Sequence, residues 1–437
     1  MRTLILFFVL TTLSFDCISQ SIEKSPFSEP NPWPEIRKER IRTLLAPAML
    51  RADIQMWAIL CRSNNNDPIA KHIGGENAGA PAVFLFEMKE NEIYTLVFSP
   101  PGEATALQEL RMQDSVVVVD YSVGAIAKAA DYINDHLNGR LALNYSDSNE
   151  FADGLSFTQY QNLMKYLSKE TQSKIVSSEE LITEWLSIKL PQEIDIMRQA
   201  AALTSQWEIE ALKTIIPGKT TDKDVAAYLK HKMKEYGVTD AWAPDQNPSV
   251  NSGKDRGHSH PTDKVIMPGD VVQIDFGIRV FDTWVTDIQR FAYILRPSET
   301  APPEDIQRFW NVAVQGHRKT TQAMRPGIRG IDVDIVQREW MRQNGSSEVF
   351  WSTGHPVGYQ AHDVGPLIGG GQANRKPSPR VYRELRAGMV FANDGFYKWD
   401  IPEGTKTISV EDMVVVTEDG AEYISPPQNE LVLISSK

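Results

Sequence analysis

The sequence is poor in the features that would place it in several large protein classes. It holds two cysteines in 437 residues, Cys17 and Cys61. Cys17 lies inside an apolar N-terminal segment, so a chain trimmed there keeps one thiol and forms no internal disulfide. Stability then comes from a packed core and bound ions, even in an oxidising compartment. Beyond that segment no run of about 18 apolar residues occurs, which leaves no second candidate for a membrane span. An excess of positive charge is also missing. Lys and Arg number 45 against 57 Asp and Glu, a net charge of −12, and such a chain does not suit a nucleic-acid partner. Nor is there a phosphate-binding loop: the glycine-rich stretch HIGGENAGAP, from His72 to Pro81, has no lysine and no strand-to-helix setting. It is expected to be a solvated loop between strands.

What is present divides into three parts. Residues 1–19, MRTLILFFVLTTLSFDCIS, place one Arg before a mostly apolar run and a small residue near its end. This predicts a cleaved signal peptide and a secreted or periplasmic protein. A lipid anchor on Cys17 fits less well, because Asp16 precedes it. Residues 20–184 alternate strand-like text (AVFLFEM, IYTLVF, SVVVVDY, RLALNY) with helical periodicity (GAIAKAADYINDHL, TQYQNLMKYL), which predicts a smaller mixed α/β domain. A second domain, residues 185–437, opens with Pro191 in the first turn of a long helix, whose buried face is expected to carry Ile194, Met197, Ala200, Leu203 and Trp207. Within it, a helix, a Pro-Gly break and a second helix occur twice, at Pro217-Gly218 and Pro326-Gly327. Segments rich in acids and histidines follow each copy, as two related halves around one site would require.

The informative residues lie between His258 and Glu411. A polar loop carrying His258 and His260 leads into the run Val271 to Phe276, which Gln273 and Asp275 interrupt, and Asp287 follows on the next strand-like run. A short turn around Val280 to Thr283 predicts a hairpin that brings Asp275 and Asp287 together. Farther on stand His355 and His362, then Asp394, then Glu411 directly after Val410. A carboxylate in an apolar strand costs several kcal/mol unless it is paired, hydrogen-bonded or metal-bound. Four such carboxylates with one imidazole suit two metal ions.

The phrases GHSHPTDKVIMPGDVVQIDFG, GHPVGYQAH, GMVFANDGFY and ISVEDMVVV resemble those of the creatinase, prolidase and aminopeptidase P family. The resemblance runs from Trp185 to the end and more loosely before it. It implies an α+β fold: a pita-bread catalytic domain with two pseudo-symmetric halves, preceded by a smaller α/β creatinase-like N-terminal domain. It also implies a metal-ligand set of Asp275, Asp287, His355, Asp394 and Glu411, with His258 and His362 as catalytic residues that contact substrate and His260 as a loop residue. The cofactors would be two divalent ions, Mn(II) favoured by the oxygen-rich set, with Zn(II) or Co(II) as alternatives. The implied function is removal of an N-terminal residue from a peptide substrate, foremost Xaa-Pro, by a homodimer. The alternative is a creatinase-like non-peptidase hydrolase or an inactive binding relative.

The chain departs from that family at several positions. The interval from Asp275 to Asp287 is one residue longer than usual, and Asp394 stands where the family has Glu, with Asn393 as the competing ligand under a shifted alignment. Trp351 replaces a histidine and Ser409 an arginine of the proline-peptidase pocket. The pocket should therefore recognise a substrate carboxylate weakly, unless Arg290 or Lys398 supplies the missing cation.

Overall fold

The computed structural model describes residues 25–78, 81–373 and 375–436, so the expected signal peptide of residues 1–19 lies outside the described residues. Helix α1 (Trp33–Arg40) precedes six strands: β1 (Met56–Cys61), β2 (Ala82–Lys89), β3 (Glu92–Ser99), β4 (Ser115–Val118), β5 (Leu141–Leu143) and β6 (Ile175–Ser177). They form one mixed sheet in the order β4-β3-β2-β1-β5-β6. Strand β1 is buried at every residue, so it lacks the alternation that marks a half-buried strand and does not stand out in the sequence. One face of the sheet packs Met56, Ala58 and Leu60 on the helix Ala125–His136. The other face, with Trp57, Ile59 and Phe86, belongs to a larger core that continues through Trp185 and Met197 to Ile274. The stretch expected as a solvated loop is instead packed in its described part, where His72 and Ile73 are buried.

Two helix pairs follow: α2 (Pro191–Lys213) with α3 (Asp222–Tyr236), and α4 (Glu304–Ala323) with α5 (Gly330–Gln343). Each pair is broken at its Pro-Gly step, where Gly218 and Gly327 adopt φ of 76° and 84°, a conformation that glycine takes without steric cost. The buried face of α2 carries Met197, Ala200 and Trp207 as predicted, but it is wider than the apolar pattern and centred to one side of it. Ile194 and Leu203 are only half-buried, while Glu193, Thr204 and Glu208 are fully buried. Two carboxylates on an inward face, Glu193 and Glu208, go against simple amphipathic patterning.

The helices cover a second sheet. Its strands are β8 (Ser249–Ser252), β9 (Val271–Phe276), β12 (Ile288–Ile294), β13 (Gly354–Pro356), β14 (Val390–Ile401) and β15 (Gly404–Val416), in the order β13-β14-β15-β12-β9-β8, with β16 (Ala421–Tyr423) beside β15 and β17 (Val432–Ile434) beside β12. Between β9 and β12, strands β10 (Ile278–Val280) and β11 (Trp284–Val285) make a hairpin that joins β7 (Thr239–Asp240) in a small separate sheet. Among the described residues no helix is long and apolar enough to cross a membrane.

Candidate metal centre

Register and alternation decide which acidic side chains meet. Ser249 pairs with Asp275, Asp275 with Gln289, Gln289 with Glu411, and Glu411 with Asp394. Residues directly opposite in a sheet share a face, and all five line one cleft, a cavity of about 630 Å³. Their immediate neighbours point the other way. Asn393 donates its amide to the hydroxyls of Thr320 and Thr321 on α4, at 3.1 and 3.0 Å. Asp412 accepts from Arg290 at 2.7 Å and from Ser425 at 2.8 Å. Asp394 therefore reaches the cleft and Asn393 does not; Glu411 reaches it and Asp412 does not.

Asp287 arrives from the hairpin. Its tip, Phe281 and Asp282, takes φ of 51° and 54°, and Thr283 N–H closes the turn on the Val280 carbonyl at 3.0 Å. Positive φ at both central residues is the mark of a type I′ hairpin turn. Phe281 is an unusual residue there, and it is held edge-on against Phe27 and Trp284. This excursion delivers Asp287 just ahead of β12.

Carboxylate oxygens of Asp275, Asp287 and Glu411 lie within 4.8 Å of one another, and so do an oxygen of Asp287 and ring nitrogens of His355 and His362. The two groups share Asp287. His355 Nε2 is 3.8 Å from Asp287 Oδ2 and 3.9 Å from Glu411 Oε1. Asp394 completes the wall, its Oδ1 buried and without a hydrogen-bond partner. His258 Nδ1 stands 3.1 Å from Asp275 Oδ2, and the rings of His355 and His362 meet edge-on with centroids 4.3 Å apart. His260 is exposed and lines no part of the cleft.

Burial, and then the neighbouring carboxylates, raise Asp287 and Asp394 well above the usual carboxylate range, and burial with Asp275 lifts Glu411 to about 8. His258 is raised to about 9 by its hydrogen bond to Asp275, whereas burial and the nearby His362 ring hold His355 down at about 3. Acids this crowded keep protons when no cation lies among them. Divalent ions replace those protons, and the orphaned Asp394 oxygen, the shared Asp287 and a neutral imidazole fit such ions.

Sequence reasoning does not single out the amides beside this wall. Gln289 donates Nε2 to Glu411 Oε2 and accepts at Oε1 from Ser409 Oγ at 2.7 Å and from Gln273 Nε2 at 2.6 Å. The available signal was Gln273 itself, a polar break in an apolar run. Trp351 lies half-exposed in the cleft, edge-on to Phe396. Neither cation expected to compensate for Ser409 lines the cleft. Arg290 points to the opposite face, bound to Asp412, and Lys398 lies over the Phe350 ring at 5.2 Å. Arg375 is the one Arg or Lys among the described lining residues.

Residues 195–418 match the metallopeptidase family M24. The chain is 27% identical to an Xaa-Pro dipeptidase of Pyrococcus furiosus over 286 residues, 64% of this chain and 73% of that one. It is also 27% identical to an uncharacterised peptidase of Bacillus subtilis, covering 63% of this chain and 74% of the relative. Among solved structures it resembles an Xaa-Pro dipeptidase from Bacillus anthracis with a TM-score of 0.66 at 20% identity, covering 92% of this chain and 100% of the other. An X-Pro aminopeptidase from Thermotoga maritima gives a TM-score of 0.64 at 21% identity, with 91% and 100% covered.

Proposed function

The chain belongs to metallopeptidase family M24, and on that premise we propose that it is a two-metal aminopeptidase that removes the N-terminal residue from Xaa-Pro peptides. The observation that carries this reading is the sharing of Asp287 between two groups of metal-competent side chains. Asp275, Asp287, His355, Asp394 and Glu411 would hold two divalent ions, with Mn(II) favoured because four of these five donors are carboxylates. Bound there, such ions supply a nucleophile at neutral pH and polarise the scissile carbonyl.

The remaining work falls to the chain's own side chains. His258 and His362 both line the cleft and present N–H donors to the substrate carbonyl, where they stabilise its developing charge. Asp275 orients the His258 ring through the 3.1 Å contact. Burial lowers the pKa of His362, which keeps that ring neutral, with one donor and one acceptor nitrogen. Gln289 fixes one oxygen of Glu411. Ser409 gives its hydroxyl to Gln289 and so offers a substrate carboxylate little, which favours peptides longer than two residues. The apolar segment of residues 1–19 supports a secreted or periplasmic location.

The test is digestion of a peptide library with added Mn(II), by wild type and by Asp287→Ala. Release of single N-terminal residues from Xaa-Pro peptides, absent in the variant, is expected. A library left intact by a wild type carrying two metals would overturn the reading.

A further inference from the structure

Glu193 is fully buried in the first turn of α2, and its two oxygens divide four donors between them. Oε2 accepts from Arg40 Nη1 at 2.5 Å and from Leu190 N–H at 2.9 Å. Oε1 accepts from Tyr359 OH at 2.6 Å and from Trp284 Nε1 at 3.0 Å. The bond to Leu190 caps the helix, and a cap needs nothing more. The bonds at Oε1 reach elsewhere: Trp284 stands three residues before Asp287, and Tyr359 lies midway between His355 and His362.

The same two segments are stitched to each other. Val285 N–H donates to the Gly358 carbonyl at 2.8 Å, and Arg279 Nη1 donates to the Tyr359 carbonyl at 2.9 Å. Tyr359 in turn plugs into the N-terminal domain. Its ring meets His72 at 4.7 Å and Trp33 at 5.8 Å, with the Arg40 guanidinium 5.4 Å from its centroid. A second tie follows one turn later, where Asp363, the residue after His362, accepts from Tyr359 N–H at 2.9 Å and faces Lys189 Nζ at 3.4 Å.

We infer that Glu193 is a positioning residue: with Arg40 of the N-terminal domain behind it, it sets the distance between the hairpin that leads to Asp287 and the segment running from His355 in β13 to His362. A fully buried carboxylate persists because its donors saturate it, so the spacing of the two segments and the docking of α1 form one hydrogen-bonded unit. The N-terminal domain thereby contributes to the geometry of a cleft that none of its described residues lines. The roles of Asp287, His355 and His362 rest on the reading proposed above; the spacing itself does not.

The experiment uses the full chain carrying Tyr359→Phe, which removes one donor and little volume, and separately Arg40→Lys. Hydrogen exchange of the metal-free protein should quicken about tenfold in peptides spanning Trp284 to Ile288 and in those spanning His355 to Val364, with β14 and β15 unchanged. With Mn(II) bound, Tyr359→Phe should lower kcat about tenfold while KM and metal content stay within about twofold. In a His362→Ala background the same change should add less than about twofold, because both act through one loop. Exchange unaltered in either segment, or raised across the whole protein, would overturn the inference, as would full additivity with His362→Ala. Should the wild type cleave no peptide, the functional reading fails and the exchange measurement still decides this one.

Discussion

Asp394 stands directly opposite Glu411 across the β14–β15 ladder, one buried carboxyl facing another. Like groups paired across strands repel when both are ionised, and burial strengthens the effect. The metal-free fold meets this by keeping both groups raised above their ordinary range. An arrangement that is costly empty and favourable around cations suits a binding site better than a structural core.

Removing a carboxylate from this wall should cost metal. Glu411→Ala or Asp287→Ala is expected to lose at least one of two ions, because less negative charge then remains to hold them. Elemental analysis of purified protein measures it, and full occupancy in both variants would reject the ligand set.

The two histidines outside that set should behave differently. His258→Ala and His362→Ala are expected to lower turnover by roughly 10² to 10³, the usual worth of one positioned donor, with metal content retained. Since a nitrogen of His362 lies close to Asp287 and His355, this is a sharp test. Loss of an ion in His362→Ala would move that residue into the ligand set.

Stability without metal should fall as pH rises. Glu411 holds its proton to about pH 8 in the fold against 4.5 ordinarily, and His258 to about 9 against 6.5. A folded state that keeps protons the unfolded chain has released loses stability with increasing pH. For Glu411 the loss spans pH 4.5 to 8 and for His258 pH 6.5 to 9, while His355, lowered to about 3, acts in the opposite sense and only below 6.5. The Tm of the metal-free protein should drop from pH 6.5 to 9, and Mn(II) should raise it more at pH 8 than at 6.5. A flat profile would contradict the proton count.

Dipeptides should be poor substrates. Ser409 is a neutral donor already committed to Gln289, where a guanidinium would offer a charged fork to a free carboxylate. Hydrolysis of Ala-Pro should run at least about tenfold slower than that of a longer Ala-Pro peptide at equal Mn(II), a difference of about 1.4 kcal/mol in activation free energy. Efficient Ala-Pro cleavage that disappears in Arg375→Ala would show that Arg375, from the cleft rim, supplies the cation instead.

Much of the site is legible in the sequence because Asp275 and Glu411 sit in apolar strands, where a carboxylate serves no packing purpose. The hairpin turn at Phe281 and Asp282 falls where local text places it. Other features resist. Strand β1 is buried on both faces and shows no alternation, and the burial of Glu193 on α2 depends on its pairing with Arg40, 153 positions away. No local periodicity encodes such a pair. Gln289 is overlooked for a similar reason: its importance lies in bonds to Ser409 and Glu411 on another strand, which only the register of β12 against β15 reveals.

That register also limits how the chain can change length. Strands β14 and β15 are paired without a break from Val390 with Val415 to Ile401 with Gly404, leaving Pro402 and Glu403 at the tip. A tip of two residues cannot shed one, so a single deletion between Asp394 and Glu411 forces a slip, and a slip of one residue turns every side chain on the shifted arm to the other face. Asn393 or Asp412 would then enter the cleft in place of its neighbour. Deleting one residue from each arm keeps Asp394 opposite Glu411. Length variation in this hairpin should therefore be tolerated in matched pairs and rejected singly, a rule that a small set of deletion variants scored for metal content would expose.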